Sequence, residues 1–188
     1  MKKVKNPDTK LGFGRLVLWQ TSSVSVAIAT LVLGFVSIYC TDTLGLEPVI
    51  VGAVFAASKV VDSITDLLVG FIIDRTNTRW GKGRPYEIFM VALWLCTWLL
   101  FSCPASLSNV MKYVWVFFMY IFMNAVCVTF LNGNNVVYMV RAFKTREQQT
   151  KLTAYGSFFT MGAGFAFNIF FPSLMAKMAT SPAGWSRL

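Results

Sequence analysis

The chain has 188 residues, of which 56% are hydrophobic and 13% charged, with a net charge of +9 and no histidine. A soluble domain carries roughly 25% charged residues, so this composition points to lipid as the solvent rather than to a large water-facing fold. The absence of histidine excludes histidine acid–base catalysis and histidine metal ligation, and Cys40, Cys96, Cys103 and Cys127 form no CxxC pair that would suggest a zinc or redox site.

A transmembrane helix needs about 20 mainly apolar residues. Stretches at 16–39, 49–73, 86–102, 113–140 and 152–175 qualify, which predicts an all-α membrane protein with five transmembrane helices. The first follows a basic arm and is longer than the apolar core of a signal peptide, about 7–15 residues. It carries a stripe of small and weakly polar residues at helical spacing: Gln20, Ser23, Ala27, Thr30, Gly34 and Ser37. Such a stripe suits a hydrated cavity or close helix packing. Trp19, beside it, is either an interface anchor or a platform for a sugar ring. Asp42, Gly45 and Pro48 then break the chain.

The second span contains Lys59, Asp62 and Asp66, spaced i, i+3, i+7, which places all three on one helix face. Ionisable side chains at this depth face a bundle interior or a wet cavity and mark ion pathways. Two carboxylates one turn apart offer hard oxygen ligands to Na⁺, or a site that shares a proton. The alternative is an internal ion pair between Lys59 and one aspartate, holding helices together. One lysine cannot neutralise two aspartates, so both readings can hold.

Gly81, Gly83 and Pro85 interrupt the chain before the third span, and Pro104 follows it. The fourth span holds Asn124, Thr129, Asn132, Gly133, Asn134 and Asn135. Asparagine in hydrocarbon needs partners. Gly133 is a place where the helix is expected to loosen and free carbonyls for a cation or sugar, with an interhelical hydrogen-bond cluster as the alternative. The fifth span repeats the small polar stripe with Ser157, Thr160, Gly164 and Asn168.

Thirteen of the 17 Lys and Arg residues lie in the N-terminal arm and in the second and fourth loops. That alternation explains the positive charge without nucleic acid, and it places the N-terminus in the cytoplasm of a multi-pass protein of the cell membrane. The cysteines are expected as buried free thiols, with a Cys40–Cys103 disulfide as the alternative.

The segment from Asp62 to Pro85, DSITDLLVGFIIDRTNTRWGKGRP, resembles the signature of the glycoside–pentoside–hexuronide:cation symporters, the melibiose-carrier branch of the major facilitator superfamily. The stretch YCTDTLGL at 39–46 resembles a further motif of that family. The resemblance implies a fold of two six-helix halves that works by alternating access. It also implies a sugar or glycoside substrate, cotransport with Na⁺, H⁺ or Li⁺, and no other cofactor. It assigns cation binding to Asp62 and Asp66, with Thr129 assisting after a one-residue gap and Thr65 where the family usually has asparagine. Lys59 matches the family's basic residue. Gly70, Asp74, Arg75, Arg79, Trp80, Gly81, Lys82 and Pro85 match the cytoplasmic loop motif, which would act as a latch.

The sugar site carries over less well. Val26 stands where the melibiose carriers have an aspartate, Asn132 near a helix-four acid and Ser157 near a helix-five arginine. Sugar contacts are therefore expected from Trp19, Gln20, Ser23, Asn132, Asn135 and Ser157, between spans one, four and five. Five spans correspond to part of the N-terminal six-helix half. The expectation is a truncated symporter that lacks its C-terminal half, with a non-transporting fragment that only associates with other helices as the alternative. An embedded hydrolase is disfavoured, since no serine or acidic catalytic motif is present.

Overall fold

The computed structural model describes residues 13–76, 84–104, 106–143, 145–179 and 182–187. Among the described residues the chain is helical, without strands. Helix α1 (Phe13–Leu33) continues through a short helix α2 (Val36–Ile38) into a π-helical turn at Tyr39–Thr43. Gly45, with φ of 67°, then reverses the chain, in a conformation that favours a residue without Cβ. Pro48 opens α3 (Pro48–Arg75), where its missing N–H removes no helical bond.

A 3₁₀ turn at Arg84–Glu87 leads into α4 (Ile88–Phe101). Ser108 caps α5 (Asn109–Ile121), its hydroxyl accepting the Met111 N–H at 3.4 Å. A second π-helical turn, Phe122–Val128, joins α5 to α6 (Thr129–Ala142). Helix α7 (Arg146–Met178) and the short α8 (Pro182–Trp185) follow.

Four segments are long and apolar enough to cross a membrane: Trp19–Thr43, Pro48–Ile73, Asn109–Val137 and Arg146–Met178. The apolar helix Pro85–Phe101 is shorter and falls at the expected third span. Together they give a multi-pass helical membrane protein.

The core lies where α1, α4 and the π turn after α5 meet. Val26, Ala29, Leu33, Val36 and Cys40 recur at helical spacing and pack against Leu93, Cys96, Leu100, Met123 and Cys127. Helix α7 runs along α1, with Phe35 meeting Phe171 at 4.8 Å between ring centroids. Helix α3 packs on α5, the second π turn and α6. Tyr86, Phe89 and Phe130 stack between α4 and α6. The four cysteines are free and buried.

The expected loosening at Gly133 does not occur. Gly133 sits within regular α6, and a Cβ there would come within 3.0 Å of Val69 and 3.1 Å of Ile73. The glycine serves close approach of α6 to α3. The irregular backbone lies about one and a half to three turns earlier, at Phe122–Val128.

Candidate functional site

The inward face of α3 is written by Val51, Ser58, Val69 and Ile73, all buried. Asp62 and Thr65 are half-buried on the same side, while Asp66 and Lys59 lie exposed on its flank. The Lys59 Nζ donates to Asp62 Oδ2 at 3.0 Å, with side-chain exposures of 60% and 19%. The other carboxylate oxygen, Oδ1, lies 3.4 Å from the Thr129 hydroxyl at the start of α6. That hydroxyl is also 3.1 Å from the Asn124 carbonyl. Asp62 thus faces α6, and the Thr129 hydroxyl lies between two other oxygens, the Asp62 carboxylate and the Asn124 main-chain carbonyl. Hard oxygen donors of this kind suit small hard cations.

Asp66 lies one turn along α3, and among the described residues no ion pair engages it. Lys59 therefore offsets one of two negative charges. Thr65 does not turn toward Asp62; its hydroxyl donates to the Val61 and Asp62 carbonyls of its own helix at 2.8 and 3.0 Å. This back-bonding is a common resting place for threonine in a helix.

A cavity of about 550 Å³ opens on the other side of α6, between α1, α6 and α7. Trp19, Gln20, Ser23, Asn135 and Ser157 all line it, together with Thr153 and Thr160. The buried Gln20 donates its Nε2 to the Leu152 carbonyl at 2.9 Å, tying α1 to the start of α7. Asn135 donates its Nδ2 to the Ser23 hydroxyl at 3.0 Å, tying α6 to α1. Trp19 stands edge-on to Phe143, with ring centroids 5.3 Å apart. Asn132 is exposed on α6 and is not part of this lining.

Thr129 and Asn135 are six residues apart on one helix, about 9 Å along its axis. Helix α6 therefore touches Asp62 through Thr129 and the cavity through Asn135.

Of the loop motif, Gly70 and Asp74 lie on α3, and Arg75 ends it with its guanidinium 4.0 Å over the Phe71 ring. Pro85 sits half-buried in the 3₁₀ turn before α4. Arg79, Trp80, Gly81 and Lys82 fall outside the described residues.

Two contributors were not read from the sequence. The Asn124 carbonyl is placed by the π turn, which has no residue signature of its own. Gly156 lets α7 approach α1, since a Cβ there would come within 2.8 Å of Gln20 Oε1. Thr153 does carry a signal: it extends the Ser157–Thr160 stripe by one turn.

The sequence profile of the MFS/sugar transport proteins matches residues 21–187. The chain belongs to that family. Within it, the α3 signature places the chain in the glycoside–pentoside–hexuronide:cation symporter branch of major facilitators, whose members are transporters and not enzymes. The chain is 37% identical to an isoprimeverose transporter of Lactiplantibacillus pentosus over 93 residues, 49% of this chain and 19% of the relative. It is 39% identical to a putative glycoside/cation symporter of Escherichia coli over 80 residues, 43% of this chain and 16% of the relative. An uncharacterized symporter of Bacillus subtilis is 26% identical over 154 residues, 78% of this chain and 32% of the relative. The major facilitator chain described here thus spans about a third or less of the length of these relatives.

Proposed function

We propose that the chain acts as the N-terminal part of a cation-coupled sugar or glycoside symporter in the cell membrane, together with the C-terminal half of that transporter. The observation that supports this most is the setting of Asp62. A carboxylate within a membrane-spanning helix is costly unless it faces partners, and Asp62 meets the Lys59 ammonium at 3.0 Å and the Thr129 hydroxyl at 3.4 Å.

In this reading Asp62, Asp66 and Thr129 hold the coupling cation, Na⁺ or H⁺, and Lys59 balances the remaining charge. Thr65 stands beside the site as a reserve ligand that reaches it by turning out of its helix-bonded rotamer. The sugar binds in the cavity lined by Trp19, Gln20, Ser23, Asn135 and Ser157, with Asn132 contributing from the open side of α6. The cation orders α6 through Thr129, and the sugar reads that order through Asn135. Rocking of two transporter halves then exposes the site to the cytoplasm. The N-terminus is cytoplasmic, and the loop from Asp74 to Arg84 latches the cytoplasmic side.

The test is uptake of labelled glycosides by cells expressing the gene that encodes this chain, with an imposed Na⁺ or H⁺ gradient. Accumulation that disappears when an ionophore collapses the gradient supports the proposal. Accumulation that is indifferent to both gradients contradicts it.

A further inference from the structure

The charge and hydrogen-bond polarity of the cavity lining carry a statement about the substrate, resting on the reading of that cavity as the sugar site. Among the described residues that line it, none carries a charge. Part of the lining's donor capacity is engaged within the protein. Gln20 and Asn135 each commit an N–H, to the Leu152 carbonyl at 2.9 Å and to the Ser23 hydroxyl at 3.0 Å. Ser157 donates its only proton to the Thr153 carbonyl at 3.1 Å, and Thr153 donates its own to the Gln149 carbonyl at 3.0 Å. Beside one remaining N–H on each carboxamide and the Ser23 O–H, these groups present lone pairs in excess, on carboxamide carbonyls and hydroxyl oxygens.

A sugar hydroxyl meets such a surface as a donor. An ionised carboxylate is acceptor-only and, out of water, needs a cation or several N–H groups. In the cavity it would meet a few neutral donors, an excess of lone pairs and, among the described lining residues, no cation. The indole of Trp19 offers, besides, an apolar face suited to the C–H side of a neutral ring. We infer that the cavity selects uncharged glycosides and rejects hexuronides, through the acceptor-rich neutral lining formed by Gln20, Ser23, Asn135, Thr153 and Ser157.

The experiment uses matched p-nitrophenyl glycosides in cells expressing the gene that encodes this chain. Each neutral hexoside, gluco or galacto, is paired with its hexuronide, which differs by a carboxylate in place of the hydroxymethyl group. The expected result is uptake of a neutral member about tenfold or more faster than its hexuronide. A hexuronide that enters as fast as its neutral partner overturns the inference and leaves the sugar-transport reading standing. If no member enters above cells lacking the gene, the sugar reading itself falls, and the inference with it. A second arm uses Ser157→Arg, which adds a guanidinium to the lining. The ratio is expected to move toward the hexuronide by about tenfold; an unchanged ratio with neutral uptake retained removes this cavity as the source of selectivity. If Ser157→Arg does not reach the membrane, the wild-type comparison decides alone.

Discussion

The Thr129 hydroxyl lies 3.4 Å from Asp62 Oδ1 and 3.1 Å from the Asn124 carbonyl. It has one proton to donate. Given to the nearer carbonyl, that proton leaves the hydroxyl lone pairs turned toward the carboxylate, an arrangement that a cation between the two oxygens relieves. Thr129→Val is therefore predicted to raise the cation concentration for half-maximal uptake about tenfold, a loss of about 1.4 kcal/mol. Thr129→Ser keeps the hydroxyl and is predicted to stay near wild type. Titrating uptake against Na⁺ and against H⁺ in the two variants checks this.

Gly156 of α7 lies close against Gln20 of α1. A Cβ at position 156 would come within 2.8 Å of Gln20 Oε1 and 3.0 Å of Nε2. The carboxamide can move away, but only by giving up its bond to the Leu152 carbonyl. Gly156→Ala is predicted to destabilise the protein by about 1–3 kcal/mol, the cost of leaving buried polar groups unpaired. Adding Gln20→Ala removes the clash, so the double variant should be less destabilised than the sum of the singles. Thermal unfolding of the purified protein in detergent provides the readout.

Gly133 and Gly162 make a matched contrast. A side chain at 133 meets Val69 and Ile73 at 3.0 and 3.1 Å, whereas a Cβ at 162 meets nothing within 4 Å. Gly133→Val is predicted to cost about 1–3 kcal/mol through overpacking of α6 against α3. Gly162→Ala should fall within about 0.5 kcal/mol of wild type. Equal effects of the two in the same unfolding assay would contradict the packing described here.

Cys103 lies buried in the turn after α4. Burial pushes its thiol above the ordinary cysteine range, with the Lys112 ammonium pulling the other way. A raised value means less thiolate at neutral pH, and the thiolate is the reactive form. With the other cysteines replaced by alanine, Cys103 is predicted to label slowly with maleimide at pH 7, faster as pH rises, and quickly once the protein is unfolded. Rapid labelling of the native protein at pH 7 would contradict this placement.

The spans were legible because lipid imposes length and apolarity on them, and on α3 the Lys59–Asp62 pair was legible from its spacing. The i, i+3 spacing of Lys59 and Asp62 already put ammonium and carboxylate within reach, and the structure pairs them at 3.0 Å. The stripe on α1 and Ser157 on α7 pointed to a shared face, and Gln20, Ser23 and Ser157 do line one cavity. Other features were not readable. A π-helical turn uses the same residue types as an α-helix, so Phe122–Val128 gave no sign, and the irregularity was sought at Gly133. Glycine in a helix marks either loosening or close approach, and only the position of Val69 and Ile73 decides between them. Thr65 has the right spacing to join Asp62, but its own helix carbonyls lie nearer to its hydroxyl.

The most direct test is cation-driven accumulation in Asp62→Asn, compared with wild type at equal amounts of protein in the membrane. The exchange keeps the size and shape of the side chain and removes its charge. The account predicts that accumulation against a sugar gradient is lost. Asp62→Asn cells that concentrate the sugar as wild type does, with the same Na⁺ or pH dependence, would contradict it.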